Sequence, residues 1–193
     1  MISFLSYIKD MVTYTRQMRT TFTLRVSKLS FLLASALYLP GADSPVLRVE
    51  GAAGRDGVAK PPLTLTPEDL GNMSHATARV RTRDGAERTY EGVLLSEILK
   101  RAGQPLGEEL RGSLLSKYVL AVAHDGYRVL FSLPEIDPAF SDARVIVAYR
   151  VDGKPLPDRE GPFRFVIPVE KREARWIRMV ERIEISSTPQ PMR

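Results

Sequence analysis

The stretch from Tyr118 to Ser132 constrains the fold most. Val119, Ala121 and Ala123 alternate with Leu120, Val122 and His124; after Asp125-Gly126, the residues Tyr127, Val129 and Phe131 alternate with Arg128, Leu130 and Ser132. Two runs of period two joined by Asp-Gly predict a β-hairpin, because a tight reversal needs positive φ and glycine adopts it without strain. Ala143 to Val151 is a further apolar strand, which Asp152-Gly153 and the prolines of Lys154-Pro155-Leu156-Pro157 end in a stiff turn. Phe163 to Ile167, set off by Gly161-Pro162 and Pro168, is another.

The rest of the chain reads in the same strand-rich way. Pro45 to Gly51 predicts a first strand, and Ala52 to Pro62 a glycine-rich surface loop. That loop lacks the spacing and the Lys-Ser/Thr ending of a phosphate-binding loop. Leu63 to Leu70 predicts a short strand passing into a short helix, with Thr66 as cap, Pro67 in the first turn, and Glu68 and Asp69 complementing the helix dipole. Ala76 to Arg83 and Arg88 to Val93 alternate about a second turn at Asp84-Gly85. From Leu94 the spacing changes: Leu95, Ile98, Leu99 and Ala102 repeat at three and four, with Ser96 early and Gly103 closing, which predicts one amphipathic helix. Leu106 to Lys117 permits a short helix, and Pro134 and Pro138 allow at most a helical turn in Leu133 to Phe140. Trp176 to Ile185 reads as a final strand or mixed element, with Trp176 in the core. The fold class expected is α+β: a single strand-rich domain of mixed sheets with a few short helices over 43–186, and a disordered tail over 187–193.

Several of these pieces, in order, carry a resemblance. They are Tyr90-Glu91-Gly92-Val93-Leu94-Leu95, Asp125-Gly126-Tyr127, Asp152-Gly153-Lys154-Pro155-Leu156-Pro157, Gly161-Pro162-Phe163-Arg164, Arg175-Trp176-Ile177 and Ile183-Glu184-Ile185. Together they are similar to the molybdopterin-binding domain of the sulfite oxidase family, over roughly Val46 to Ser186. The resemblance implies a molybdopterin cofactor held among the hairpin at Asp125 and Tyr127, the entrance from Gly161 to Arg164 and the strand around Val80. It also implies oxygen-atom transfer on a small anion, with electrons passed to a partner protein. In that family a cysteine thiolate before the Tyr90 motif binds molybdenum. Here Val80 to Tyr90 holds no cysteine, and the hydroxyl of Thr82 is a hard, poorly ionised donor that does not replace one. Molybdenum is therefore expected not to be protein-ligated. The reading that follows is a non-catalytic module binding a pterin, a small anion or a protein; the alternative is a molybdopterin-dependent oxidoreductase.

Charge and cysteine usage bound the remaining classes. Of a formal net charge of +5, residues 1–42 carry +4, leaving +1 for the body, so the basic balance does not point to nucleic acid. Those first 42 residues read as an export signal: cations end at Lys28, Leu29 to Leu39 is an eleven-residue apolar run, and Pro40-Gly41-Ala42 is a small-residue cleavage region. Eleven residues fall short of the roughly 20 that span a bilayer. A bacterial periplasmic or secreted protein is expected, with no membrane span after cleavage and with a redox or envelope protein as partner. The other reading of the run is a buried amphipathic helix. The chain has no cysteine, which excludes disulfides and thiolate sites, and its two histidines, His75 and His124, lack the HxxxH or HxxE spacing of a zinc site, which usually wants three protein ligands. Lys171, Arg172, Arg175, Arg178 and Arg182, interrupted by Glu170, Glu173, Glu181 and Glu184, read either as a solvated face or as an anion-binding rim. Arg164, entering an apolar strand, must reach solvent or find an acceptor, whether in a pterin pocket or on a nearby carboxylate.

Overall fold

The computed structural model describes residues 45–51 and 60–188. The expected leader, most of the Ala52 to Pro62 loop and the last five residues lie outside them. One sheet contains β1 (Leu47–Gly51), β2 (Leu63–Leu65), β5 (Lys117–Ala123), β6 (Arg128–Ser132) and β10 (Val180–Ser187). The other contains β3 (His75–Arg81), β4 (Glu87–Leu94), β7 (Ile146–Val151), β8 (Lys154–Pro155) and β9 (Arg164–Val166). Three short helices accompany them among the described residues: α1 (Pro67–Gly71), α2 (Leu95–Arg101) and α3 (Leu133–Ile136). The first sheet runs β2-β1-β10-β5-β6 and is mixed, because β1 lies parallel to β10 while every other pair is antiparallel. The second runs β3-β4-β7-β8, with β9 also on β7, and is antiparallel throughout. The α+β expectation holds.

Local sequence rules account for the hairpins. In β5-β6, Val119 faces Phe131 and Ala121 faces Val129, all buried, and Gly126 takes φ +82° at the reversal. Asp152 (φ +50°) and Gly153 (φ +74°) reverse β7 into β8 as two consecutive positive-φ residues, the geometry that matches strand twist. In β4, Gly92 lies at an irregularity where the strand meets β7, and a Cβ there would stand 2.1 Å from the Val147 carbonyl oxygen. Only glycine allows that approach. The α1 cap forms as expected, with Thr66 Oγ1 accepting from the Asp69 N–H and the Asp69 carboxylate accepting from the Thr66 N–H.

In α2, Ser96 stands early, buried in the first turn, and the Leu95 N–H donates to the Val145 carbonyl at 2.8 Å. Other expectations are adjusted. Leu106 to Lys117 forms two 3-10 turns, Gly107–Glu109 and Gly112–Ser116, because Gly107 (φ +64°) and Gly112 (φ +60°) each interrupt a helix. The strand expected from Ala143 begins at Ile146. Of the tail expected over 187–193, Ser187 pairs with Lys117 at the end of β10 and the Thr188 N–H reaches the Ser116 carbonyl at 3.3 Å, while the rest lies outside the described residues.

A single cluster of buried side chains joins the two sheets. Leu47, Val119, Phe131 and Ile183 come from one, and Val93, Val147 and Phe165 from the other, with Leu95, Ile98 and Leu99 of α2. Phe131 of β6 meets Phe165 of β9 at 5.8 Å between ring centroids, tilted by 47°. That contact places β9 beside the β5-β6 hairpin and so brings Arg164 near the loop that leads from β9 to β10.

Candidate functional site

Arg164 lies between two buried phenylalanines in β9 and is itself only 5% exposed, so its charge needs partners inside the protein. It finds them on three segments. Nη1 donates to the Tyr90 hydroxyl of β4 at 2.9 Å and to the Glu160 carboxylate; Nη2 stands 3.5 Å from Glu173. The Tyr90 and Trp176 rings flank the guanidinium at 5.1 and 5.7 Å. Burial pushes the Tyr90 hydroxyl above its ordinary pKa, and the Arg164 charge opposes that shift. Arg164 is therefore paired with carboxylates, as one sequence reading expected, and also lines a cleft.

The segment from Pro168 to Arg178 is tied down on both sides. Toward the second sheet, Glu173 Oε1 accepts from the Arg83 backbone N–H at 2.7 Å, across the turn between β3 and β4. Toward the first sheet, the Tyr127 hydroxyl donates to the Ala174 carbonyl at 2.9 Å, and Arg175 Nη2 donates to Glu135 at 2.6 Å. The Arg175 guanidinium lies 4.2 Å from the Phe131 ring centroid. Its Nε is 3.2 Å from Glu170, an ion contact whose angle does not make a hydrogen bond. Burial raises the Glu170 carboxyl above its usual range, against the pull of Arg175.

Between this segment and the β3-β4 turn opens a cleft of about 1290 Å³. Eight cationic side chains line it against four carboxylates, although the body of the chain carries only +1. Arg79 and Arg81 share Glu87, and Arg88 pairs with Asp152. Arg83, Lys171, Arg172 and Arg178 are not ion-paired with any described residue. Two donors in the wall, Arg164 Nε–H and the Trp176 indole N–H, are buried without an acceptor among the described residues. A second hollow, of about 810 Å³, is lined by Pro67, Tyr149, Pro155, Leu156 and Pro162 and carries one cation, Arg150, against the carboxylates Glu68 and Asp158. The basic cleft is the candidate site, because only its charge distribution suits an anion.

The expected site residues separate. Arg164 lines the basic cleft, whereas Gly161 lines the second hollow. Asp125 accepts the Tyr127 N–H at 3.0 Å within the hairpin turn, and Tyr127 reaches the Ala174 carbonyl; neither lines the cleft. Of the C-terminal cations, Lys171, Arg172 and Arg178 line it, while Arg182 pairs with Glu50 and Glu184 elsewhere. Arg79, Arg81, Arg83, Arg88 and Glu160 are additions that sequence reasoning missed, while Glu173 belongs to the C-terminal charged cluster. The alternation Arg79-x-Arg81-x-Arg83, on the outward positions of a predicted strand, was the available signal.

The donor set does not fit a protein-ligated molybdenum. The chain offers no thiolate, and the Thr82 hydroxyl, which lines the cleft, is held in its own turn by the Asp84 carboxylate at 2.5 Å and the Ala86 carbonyl at 2.9 Å. Among the described residues no three of His, Cys, Asp and Glu are grouped to hold a metal ion. An anionic group does fit, since Arg83, Lys171, Arg172 and Arg178 present their charges to the same space. The family model of the oxidoreductase molybdopterin binding domain matches residues 70–193. No curated protein matches the chain.

Proposed function

The chain belongs to the oxidoreductase molybdopterin-binding domain family, and we propose that it is a non-catalytic member, an exported module whose basic cleft holds a pterin by its phosphate, or another small anion. One observation carries this reading: a cleft with four cations that have no ion partner among the described residues stands in a chain with no cysteine. Arginine suits such a ligand because its planar fork gives parallel hydrogen bonds to phosphate oxygens. Each charge-assisted bond contributes about 1.5–3 kcal/mol, so two or three can retain a phosphate-bearing pterin. A metal would be retained only through the pterin, since the soft thiolate that tunes molybdenum is missing.

Elemental analysis tests this on protein expressed with molybdate and an intact cofactor pathway. The expected result is far less than one molybdenum per chain, with pterin fluorescence after oxidation reporting any retained pterin. Near one molybdenum per chain overturns the reading and favours oxygen-atom transfer. Export is supported by the apolar run Leu29 to Leu39 behind a basic segment. N-terminal sequencing of the envelope fraction should then find a mature chain starting close to Ala42; an intact Met1 in the cytosol rejects export.

A further inference from the structure

We infer that Glu173 is a built-in competitor for the anion that the cleft binds, occupying with its own carboxylate the place where the ligand's phosphate group would dock. This rests on the reading of the cleft as an anion site. The Glu173 carboxylate already has an anion's partners: Oε1 accepts the Arg83 backbone N–H at 2.7 Å, and Oε2 faces Arg164 Nη2. The two partners come from different segments, the β3-β4 turn and β9, so they form a receptor that Glu173 enters from a third. Its hold on Arg164 is loose. At 3.5 Å the contact exceeds a good hydrogen bond, whereas Glu160 engages the same guanidinium by a direct one. Glu173 is also open to exchange, with its side chain 31% exposed at the mouth of the cleft.

An incoming phosphate brings more negative charge and more acceptor oxygens than a carboxylate. Arg83, Lys171, Arg172 and Arg178, without an ion partner among the described residues, favour it over the resident group. Once displaced, Glu173 swings toward solvent. Ala174 stays anchored by Tyr127, and Arg175 by Glu135, so the exchange need not unfasten the segment. Glu173 then acts as a threshold: weak monoanions fail to displace it, and phosphate-bearing ligands succeed.

The test compares wild type with Glu173→Gln, whose amide oxygen still accepts the Arg83 N–H while the charge is gone. Inorganic phosphate, a pterin phosphate and the corresponding unphosphorylated pterin are titrated by calorimetry and by fluorescence of Trp176, the chain's one tryptophan. Both phosphate-bearing probes should bind the variant about tenfold tighter, equivalent to about 1.4 kcal/mol. The unphosphorylated pterin should gain nothing. Glu184→Gln, on β10 away from the cleft, changes net charge equally and should leave affinity unchanged. A pterin phosphate that outbinds inorganic phosphate assigns the anion to a cofactor; equal affinities assign it to a free ion. If wild type binds phosphate and E173Q binds no tighter, the competitor role fails while the anion site stands. Absence of binding in both removes the anion site as well. In the unmutated protein, phosphate should also shift the Arg83 amide and Trp176 indole signals in ¹H–¹⁵N spectra, and a stationary Arg83 amide overturns the displacement.

Discussion

Replacing Arg164 by methionine tests whether the buried guanidinium holds the site together. The change removes hydrogen bonds to Tyr90 and Glu160, an ion contact to Glu173 and stacking against Tyr90 and Trp176. Two hydrogen bonds to a charged group are worth about 3–6 kcal/mol gross, and two cation–π contacts add about 1–2 kcal/mol. Against this, folding no longer has to desolvate a guanidinium, a penalty of several kcal/mol, and methionine refills the aliphatic volume. The stranded Glu160 and Glu173 are 26% and 31% exposed, so water reaches both and limits the cost of leaving them unpaired. The balance is a loss of about 2–4 kcal/mol. In urea unfolding followed by far-ultraviolet circular dichroism, this lowers the midpoint by about 1–2 M. Tryptophan fluorescence is the wrong probe for stability here, because Arg164 stacks on Trp176. The double variant R164M/E173Q should lose less than the sum of its single changes, by about 1 kcal/mol. A stability of R164M within about 0.5 kcal/mol of wild type, or strict additivity, refutes the assignment of Arg164 as the charge on which these carboxylates converge.

Other perturbations probe the frame around the cleft. Gly92→Ala forces a Cβ against the Val147 carbonyl oxygen at 2.1 Å and the Ala148 Cα at 2.6 Å, both backbone atoms; it should cost about 3 kcal/mol and lower Tm by about 6–12 °C, and an unchanged Tm contradicts the close approach of β4 to β7. Tyr127→Phe deletes the bond to the Ala174 carbonyl; amide exchange should accelerate in residues 170–176 with a stability loss of about 1 kcal/mol or less, while equal exchange shows that the hairpin does not restrain the segment. The His124 imidazole is raised above its ordinary pKa by its hydrogen bond to Glu181 and then by that carboxylate's charge. A raised folded-state value stabilises fully below the unfolded pKa of about 6.5 and is lost as pH rises through the folded value. Proton NMR of His124 should therefore titrate above about 6.5 and return toward it in Glu181→Gln; the same pKa in both proteins rejects the pairing.

The local sequence determined the elements. Asp125-Gly126, Asp84-Gly85 and Asp152-Gly153 place reversals because positive φ is accessible to few residues, and the alternation from Val119 to Phe131 sets which face is buried. Thr66-Pro67 likewise specifies a helix start through bonds that span only three residues. The resemblance at Tyr90 to Leu95 and Gly161 to Arg164 named the family, and its glycine at position 92 is explained only once β7 lies against it. The candidate site was not legible in this way. Arg79 and Arg81 belong to β3 and Arg83 to the turn after it, Arg164 to a strand whose neighbours are phenylalanines, and Lys171 to Arg178 to a longer run, Glu170 to Glu184, in which five cations stand against four glutamates. Each charge pattern reads as ordinary by itself, because sequence records which charges are present but not where they face. Tertiary pairing of β4 with β7 and of β7 with β9, together with the Phe131–Phe165 contact, carries the cations to one cleft and sends Arg182 elsewhere. Electrostatic interaction falls with distance through space rather than along the chain, so the basic field of this protein exists only after folding.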